Sequence, residues 1–410
     1  MNNTQLSCLS EYVQMRDGVR LAVSTWINEN HGRVVNKKPA ILTTTRYWRA
    51  MEFKQDRAEF QQYDPIASFF FKQGYVFVVA DARGTGASFG TRESEIPPAE
   101  VEDIGEIVDW VAKQDWCDGR VATSGTSYTA DTTLHSLAVN CSALKLGVCR
   151  APDFDLYRHL FAPGGIVNIT FVRRWGATTG AQDANDADFL RKDGRWQISQ
   201  GGADNVLGVR PVDSDVDGSQ LEAAIAEHKP NFNVTEIAEK LLYMDSAYVG
   251  AAKRDDCVRP KTLLDERYSN DKQLSKGPYF CSNPYFYKDV IEQNNIPVVI
   301  RCGWHDAATA LGALSMFTSF NNPIRVILGP WNHVGDSRVD PFQPGDGTQV
   351  EAISISSRLA LITESLDATL KPDLKGGEVA CEQFGMVEYY TLGEGKWKTT
   401  RSWPLPETQW

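Results

Sequence analysis

The sequence lacks any apolar stretch long enough to cross a lipid bilayer as a helix, which takes about 20 residues. Its N-terminal segment, MNNTQLSCLSEYVQMRDGVRL, also lacks the basic region and following apolar region of a secretory signal peptide. We therefore expect a cytoplasmic protein that does not associate with membranes. Of its 410 residues, 42% are hydrophobic and 10% aromatic, which is typical of a globular protein of about two or three domains.

Clusters of basic residues are also missing. Lysine and arginine together number 42 against 53 acidic residues, for a net charge of −11 at pH 7. Proteins that bind nucleic acid neutralise its phosphates with a patch or stripe of basic side chains. The sequence therefore argues against nucleic acid as a partner.

Cofactor and metal motifs are incomplete. The eight cysteines follow no CxxC or metal-finger spacing. The loop from Asp81 to Gly90 is partly similar to a dinucleotide-binding loop, but Gly90 follows Gly86 by four residues instead of three, and no helix pattern follows directly. We interpret this loop as structural, with Arg83 supporting the floor of a site. We expect no cofactor and no metal.

Short β-branched runs recur along the chain and indicate strands that are buried on both faces. They lie at residues 40–45, 75–80, 120–125, 144–149, 297–302 and 324–329. Helical patterns lie between several of them, as at 64–73 and 101–111, and one amphipathic helix is predicted at 355–370. Because strands that alternate with helices form a parallel sheet with crossovers, we expect an α/β fold with a mostly parallel central sheet.

This alternation is interrupted by a long segment of helical pieces, glycine-rich turns and aromatic residues such as Trp175 and Trp196. We expect it to be a mainly helical cap inserted into the core. Near the C-terminus, alternating residues around Gly393 and Gly395 predict a hairpin unlike the parallel core. The chain is thus divided into a first core part, the cap, a second core part and a partial C-terminal β segment, at residues 1–151, 152–290, 291–375 and 376–410.

A serine stands where one predicted strand ends. The segment RVATSGTSYTA at 120–130 reads as a strand, a sharp turn and the start of a helix, with Ser127 at the turn. A serine on such a turn exposes its hydroxyl above the sheet, beside a backbone N–H that can stabilise an oxyanion. Taken alone, a serine before a helix is more often a capping or turn residue.

A base and an acid follow two later strands. His333 lies just past the last predicted core strand, and His305 and Asp306 lie past the strand before it. Catalytic groups gather at the carboxyl ends of parallel strands. Ser127, Asp306 and His333 stand in the order nucleophile, acid, base that α/β-hydrolases use. Taken alone, Asp306 also fits a helix N-cap before residues 307–317, His333 fits a loop histidine, and we interpret His305 as a neighbour only.

Five motifs occur in order along residues 10–400: TTTRY at 43–47, DARGTGAS at 81–88, GTSY at 125–128, GWHD at 303–306 and GPWNH at 329–333. Together they resemble the α/β-hydrolase family of cocaine esterase, X-prolyl dipeptidyl peptidase, α-amino-acid ester hydrolase and glutaryl acylases. The resemblance implies a serine hydrolase that cleaves a small-molecule ester or amide through an acyl-enzyme. It also implies that Ser127 is the nucleophile, that Asp306 orients His333, and that the Tyr47 hydroxyl and the Tyr128 N–H form the oxyanion hole.

The sequence departs from the family pattern at two places. Ala130 stands where relatives usually have glycine, and Thr129 breaks the general Gly-x-Ser-x-Gly signature. The family's C-terminal jelly roll is represented here by about one hairpin. Either that domain is missing or the chain is a fragment; if the domain is missing, we expect the core surface that relatives cover to be exposed and to favour a homo-oligomer.

Other interpretations stay open at this point. An X-prolyl or α-amino-acyl specificity, acyl transfer to another acceptor, and a catalytically silent binding protein all fit the same motifs. Tyr47 also fits an aromatic pocket wall. The acidic cluster at Asp213, Asp215 and Asp217 could form a metal loop or hold a substrate ammonium, but a solvated cap loop is the favoured interpretation.

Overall fold

The computed structural model describes residues 6–28, 37–54, 63–193, 205–235, 282–342, 350–371 and 382–408. The strands in these ranges are β1 Leu6–Gln14, β2 Arg20–Asn28, β3 Lys38–Thr45, β4 Met51–Phe53, β5 Val76–Asp81, β6 Cys117–Thr126, β7 Leu144–Arg150, β8 Val206–Val209, β9 Val298–Gly303, β10 Ile324–Gly329, β11 Ser337–Arg338, β12 Glu351–Ala352, β13 Met386–Thr391 and β14 Lys396–Thr400. The α-helices are α1 Asp64–Lys72, α2 Pro98–Ala112, α3 Tyr128–Ser136, α4 Ile169–Asp183, α5 Ala187–Asp193, α6 Ser219–Glu227, α7 Lys288–Asn294, α8 Thr309–Ser319 and α9 Ile355–Leu370.

Among the described residues, ten strands form one sheet, in the order β1-β2-β5-β3-β6-β7-β9-β10-β13-β14. Neighbours from β5 to β13 pair in parallel, and the pairs β1–β2, β2–β5 and β13–β14 are antiparallel. Every residue of β5, β9 and β10 is buried, as expected for β-branched strands covered on both faces. The six strands predicted for the core, and their parallel arrangement, are confirmed.

Helices cover both faces of this sheet. On one face, α2, α3, α7 and α8 contribute side chains such as Ile104 and Leu134 to a large core. On the other face, α1 and α9 cover the sheet with Phe70 and a row of apolar residues. The amphipathic helix predicted at 355–370 is α9, and its buried row is Leu359, Ile362, Leu366 and Leu370. Each buried leucine or isoleucine stabilises the fold by about 1.5–3 kcal/mol relative to exposure.

The C-terminal hairpin belongs to the central sheet. β13 and β14 form the predicted hairpin, and Gly393 and Gly395 lie in its turn at φ 80° and 70°. The predicted C-terminal β segment is present, but it is not separate from the core, because β13 pairs in parallel with β10 and Val387 is fully buried. Arg325 of β10 also donates to Glu388 of β13 at 2.7 Å. The hairpin therefore extends the core.

The described part of the insertion between residues 152 and 290 contains α4, α5, α6, β8 and a π-helical turn at Leu156–Phe161. β8 pairs with β4, which follows β3, so the insertion contacts the carboxyl edge of the sheet. Trp196 lies outside the described residues. In the described ranges, no helix is both long enough and apolar enough for a membrane span.

Candidate active site

One edge of the sheet collects the residues that the motifs singled out. Tyr47 follows β3, Ser127 follows β6, Asp306 follows β9 and His333 follows β10. These strands are parallel, and the sheet order places β3 beside β6 and β9 beside β10, with β7 between the two pairs. Their carboxyl ends therefore meet at the same edge, where α/β proteins bind ligands.

Ser127 occupies a strained turn. Its φ of 60° and ψ of −132° lie outside the regions that side-chain-bearing residues favour, at a cost of about 1–3 kcal/mol. A Cβ on Gly125 would lie 2.1 Å from the Thr129 carbonyl oxygen, so the turn requires glycine there. The Thr129 hydroxyl accepts the Thr126 N–H at 2.6 Å and donates to the Thr126 carbonyl at 2.8 Å. Thr129, a departure from the general serine signature, therefore closes the turn with its side chain.

Asp306 and His333 form a direct pair. Asp306 Oδ1 lies 2.8 Å from His333 Nδ1, and Asp306 Oδ2 accepts the Thr309 hydroxyl at 2.9 Å. Asp306 is 5% exposed, whereas the His333 side chain is 44% exposed. The N-cap alternative for Asp306 is wrong, because α8 begins at Thr309 with Ala308 as its N-cap. Asp306 therefore holds one edge of an imidazole whose other edge faces outward.

The charge around His333 favours its protonated form. Burial lowers the pKa of His333, but the hydrogen bond and charge of Asp306, together with the charge of Asp153, raise it overall. Asp153 follows β7 and is 4% exposed, and its N–H donates to Asp131 Oδ1 at 2.6 Å. Burial raises the pKa of both carboxyl groups, and their mutual proximity raises that of Asp131 further. No sequence motif marks this acidic pair, so it was not predicted.

Ser127 and His333, the predicted nucleophile and base, are not hydrogen-bonded to each other in the described structure. Ser127 is partly exposed, and within the described residues its Oγ has no hydrogen-bond partner, nor does His333 Nε2. Catalytic hydrogen bonds are often long in the absence of substrate and shorten when it binds. A hydrogen bond between Ser127 and His333 is therefore expected when substrate is bound.

The two predicted oxyanion donors, the Tyr128 N–H and the Tyr47 hydroxyl, belong to residues that pack against each other. Tyr128 is the first residue of α3, and its N–H has no acceptor in the described part of the chain, as expected at a helix start. The Tyr47 ring packs edge-on against the Tyr128 ring, with 5.9 Å between centroids. Trp175 of the cap donates its indole N–H to the Tyr47 hydroxyl at 3.0 Å. Burial raises the pKa of Tyr47 to about 12, so its phenol stays neutral and can donate its proton.

A buried network of charges positions Tyr128. Arg92 donates to the Tyr128 hydroxyl at 2.6 Å and to Glu95 at 2.9 Å, and that hydroxyl donates to Glu100 at 2.7 Å. Arg46 donates to both oxygens of Glu95 at 2.7 and 2.8 Å. Sequence patterns did not identify this network. It fixes the helix start that carries the Tyr128 N–H.

Arg83 does not contribute to this network. It pairs with Asp103 at 2.6 Å and Asp17 at 2.9 Å, which joins the β1–β2 turn to α2. The predicted role of Arg83 under the site is therefore wrong, and Arg92 and Arg46 take that place.

Other predicted candidates have local roles. The His305 ring contacts the Val339 carbonyl at 2.9 Å, which agrees with its interpretation as a neighbour. In the acidic cap cluster, each carboxylate accepts nearby backbone N–H groups, and Asp215 is buried instead of solvated. In the described residues, no group of three or more histidine, cysteine or acidic side chains has the geometry to hold a metal ion.

Comparison with known sequences agrees with this geometry. Residues 17–335 match the family model described as X-Pro dipeptidyl-peptidase (S15 family). Over 407 residues, the chain is 30% identical to a Mycobacterium bovis protein assigned as a serine esterase, covering 97% of this chain and 61% of that protein. It is 24% identical over 403 residues to cocaine esterase from Rhodococcus sp., covering 97% of this chain and 60% of that protein. The chain thus spans about three fifths of the length of these relatives.

Solved structures show the same fold. A CocE/NonD family hydrolase from Staphylococcus aureus has a TM-score of 0.56 at 16% identity, covering 98% of this chain and 57% of that one. An α-amino acid ester hydrolase has a TM-score of 0.53 at 16% identity, covering 98% of this chain and 59% of that one. The predicted α/β-hydrolase fold is confirmed.

Proposed function

This chain belongs to the X-Pro dipeptidyl-peptidase (S15) family, and on that basis we propose that it hydrolyses small-molecule esters or amides through an acyl-enzyme on Ser127. The observation that carries the proposal is the Asp306–His333 pair, joined at 2.8 Å, at the same sheet edge as the strained Ser127 turn. Nucleophile, base and orienting acid are the three roles that serine acyl transfer requires.

In the first step, His333 Nε2 takes the Ser127 hydroxyl proton while Oγ bonds to the substrate carbonyl carbon. Asp306 keeps the Nδ1–H tautomer and stabilises the imidazolium. The Tyr128 N–H and the Tyr47 hydroxyl donate to the tetrahedral oxyanion. The imidazolium then gives its proton to the leaving alcohol or amine as that bond breaks. Water attacks the acyl-enzyme in the second step, with His333 taking its proton and returning it to Ser127.

We favour ester substrates without a free α-amino group over α-amino-acyl substrates, which carry one. A substrate ammonium needs a carboxylate whose charge is not already neutralised. Glu95 and Asp183, two buried acids near the oxyanion donors, both pair with Arg46, at 2.7 and 3.3 Å, and the charge of Asp153 acts on His333. A panel of p-nitrophenyl esters with N-blocked and free-amine p-nitroanilides tests this preference, and faster cleavage of the free-amine anilides would reverse it. Product analysis with added alcohols or amines separates hydrolysis from acyl transfer.

A fluorophosphonate probe tests the nucleophile directly. We expect the wild type to be labelled and Ser127→Ala to be unlabelled. Ser315→Ala, at a serine of α8 away from the turn, serves as the matched control and should label like the wild type. A wild type that neither labels nor cleaves any ester or amide would instead identify a silent binding protein.

A further inference from the structure

Three arginines lie together on one face of the sheet. Arg150 of β7 and Arg301 of β9 are register partners, so their strands lie about 4.8 Å apart at this point and their side chains share a face. Val148 and Val299, two residues earlier on the same strands, pack in the core beneath α9. Arg358 stands on α9 itself. The arginines therefore meet between the sheet and this helix.

These guanidinium groups lack carboxylate partners in the described residues, where none of the three forms an ion pair. The Nε atoms of all three, and Nη2 of Arg301, are buried and have no hydrogen-bond partner in the described part of the chain. Arg301 is 3% exposed, and its guanidinium carbon lies 3.7 Å from the centre of the Trp331 ring, a contact that uses no N–H. Burial and neighbouring guanidinium charges lower the pKa of Arg150 and Arg301 to about 10. Burial also lowers the pKa of Arg358, although the charge of Asp336, which lies beyond ion-pair distance, opposes this shift.

Two of these arginines, Arg301 and Arg358, contact the loop that carries His333. A Cβ on Gly335 would lie 2.5 Å from Arg301 Nη1, so the loop backbone packs against this guanidinium. Arg358 Nη1 donates to the Val334 carbonyl at 2.9 Å. Any ligand of these arginines would therefore also hold this loop.

A cavity of about 170 Å³ adjoins Arg150. Thr43, Tyr63 and Ser124 also line this cavity, whereas Arg301 and Arg358 are not among its lining residues. A cavity needs only about 10–15 Å³ to hold one water. The space is large enough for a small anion and its waters.

We propose that Arg150, Arg301 and Arg358, the arginine cluster, bind a small oxyanion such as phosphate. The anion supplies the negative charge that the cluster lacks and accepts the unpartnered guanidinium N–H groups, which suit the planar donor arrangement of arginine. The bound anion joins β7, β9 and α9 to the loop after His333.

Binding of inorganic phosphate to the purified protein tests this site without any substrate. At constant ionic strength, with chloride replaced by phosphate, we expect saturable heat in calorimetry and a rising unfolding temperature for the wild type. Arg301→Met and Arg150→Met should bind at least tenfold more weakly. In phosphate-free buffer, both variants should unfold at or above the wild-type temperature, because each removes one uncompensated buried cation.

Arg120→Met is the matched control. Arg120 is also a strand arginine, but it lies near the start of β6 and pairs with Asp118 at 2.7 Å, so this variant should keep the full phosphate response. Equal phosphate responses in the wild type and in both methionine variants would overturn the proposal, because they would indicate a general salt effect. If a β-strand variant fails to fold, Arg358→Met on the helix surface provides the same comparison, and an unchanged phosphate affinity there would also overturn it.

Discussion

Glycine at position 127 should give a more stable fold than alanine, although glycine is usually the less stabilising of these two residues. Ser127 has φ 60° and ψ −132°, a conformation that glycine adopts without strain. Alanine keeps the strain of about 1–3 kcal/mol, because it retains a Cβ. Ser127→Gly and Ser127→Ala both lack the nucleophilic hydroxyl, so neither should react with the fluorophosphonate probe.

The size of the effect follows from two opposing quantities. Relief of strain favours glycine by about 1–3 kcal/mol, and the greater freedom of glycine in the unfolded chain opposes it by about 0.5–1 kcal/mol. The free energy of unfolding of Ser127→Gly should exceed that of Ser127→Ala by about 1 kcal/mol. At Ser315, inside α8, glycine should be about 1 kcal/mol less stable than alanine. The two sites should therefore differ by about 2 kcal/mol, with opposite signs.

Urea unfolding followed by tryptophan fluorescence measures both pairs of variants under the same conditions. The Ser315 pair shares the loss of a serine hydroxyl, so each glycine-to-alanine difference reports on the backbone. If Ser127→Gly is less stable than Ser127→Ala by as much as at Ser315, the turn is not strained and our account of the exposed nucleophile is wrong.

Three further results are expected at the site. Asp153→Asn removes a negative charge that raises the pKa of His333, so the rise of kcat/KM with pH, which follows loss of the His333 proton, should move to lower pH; an unchanged or upward-shifted pH profile would contradict this. Tyr47→Phe should lower kcat about 10²–10³-fold with little change in KM. Trp175→Phe should lower kcat less, because this variant only frees the Tyr47 phenol to move. Equal losses of kcat in steady-state assays would count against a direct role for the phenol. Tyr128→Phe should lower the free energy of unfolding in urea by about 1–3 kcal/mol, because it leaves the buried charged partners of the hydroxyl unsatisfied. It should keep most activity, because the proposed oxyanion donor is the backbone N–H; a loss of kcat as large as for Tyr47→Phe would assign the donor role to the Tyr128 side chain instead.

Two expectations from the sequence stay predictions. The cytoplasmic location depends on cellular context, and a homo-oligomer depends on surfaces whose partners the single chain does not contain. Sedimentation of the purified protein measures the oligomeric state.

Local patterns determined most of the core. The β-branched runs were sufficient to place six central strands within a few residues, because a strand covered on both faces must be apolar along its whole length. The apolar spacing of α9 was equally informative. The motifs at the strand ends identified Ser127, Asp306 and His333 in order, and a parallel sheet brings such ends to one edge, which was enough to expect the Asp306–His333 pair.

Contacts between distant segments were decided only by the tertiary structure. Nothing near residue 386 shows that β13 pairs with β10, and nothing near Trp175 shows that its indole binds the Tyr47 hydroxyl. The buried partners of Arg83 and the approach of Asp153 to His333 likewise depend on which strands become neighbours. Hydrophobic periodicity reports only whether a residue faces the interior, whereas the identity of its neighbour there depends on the packing of segments that are far apart along the chain.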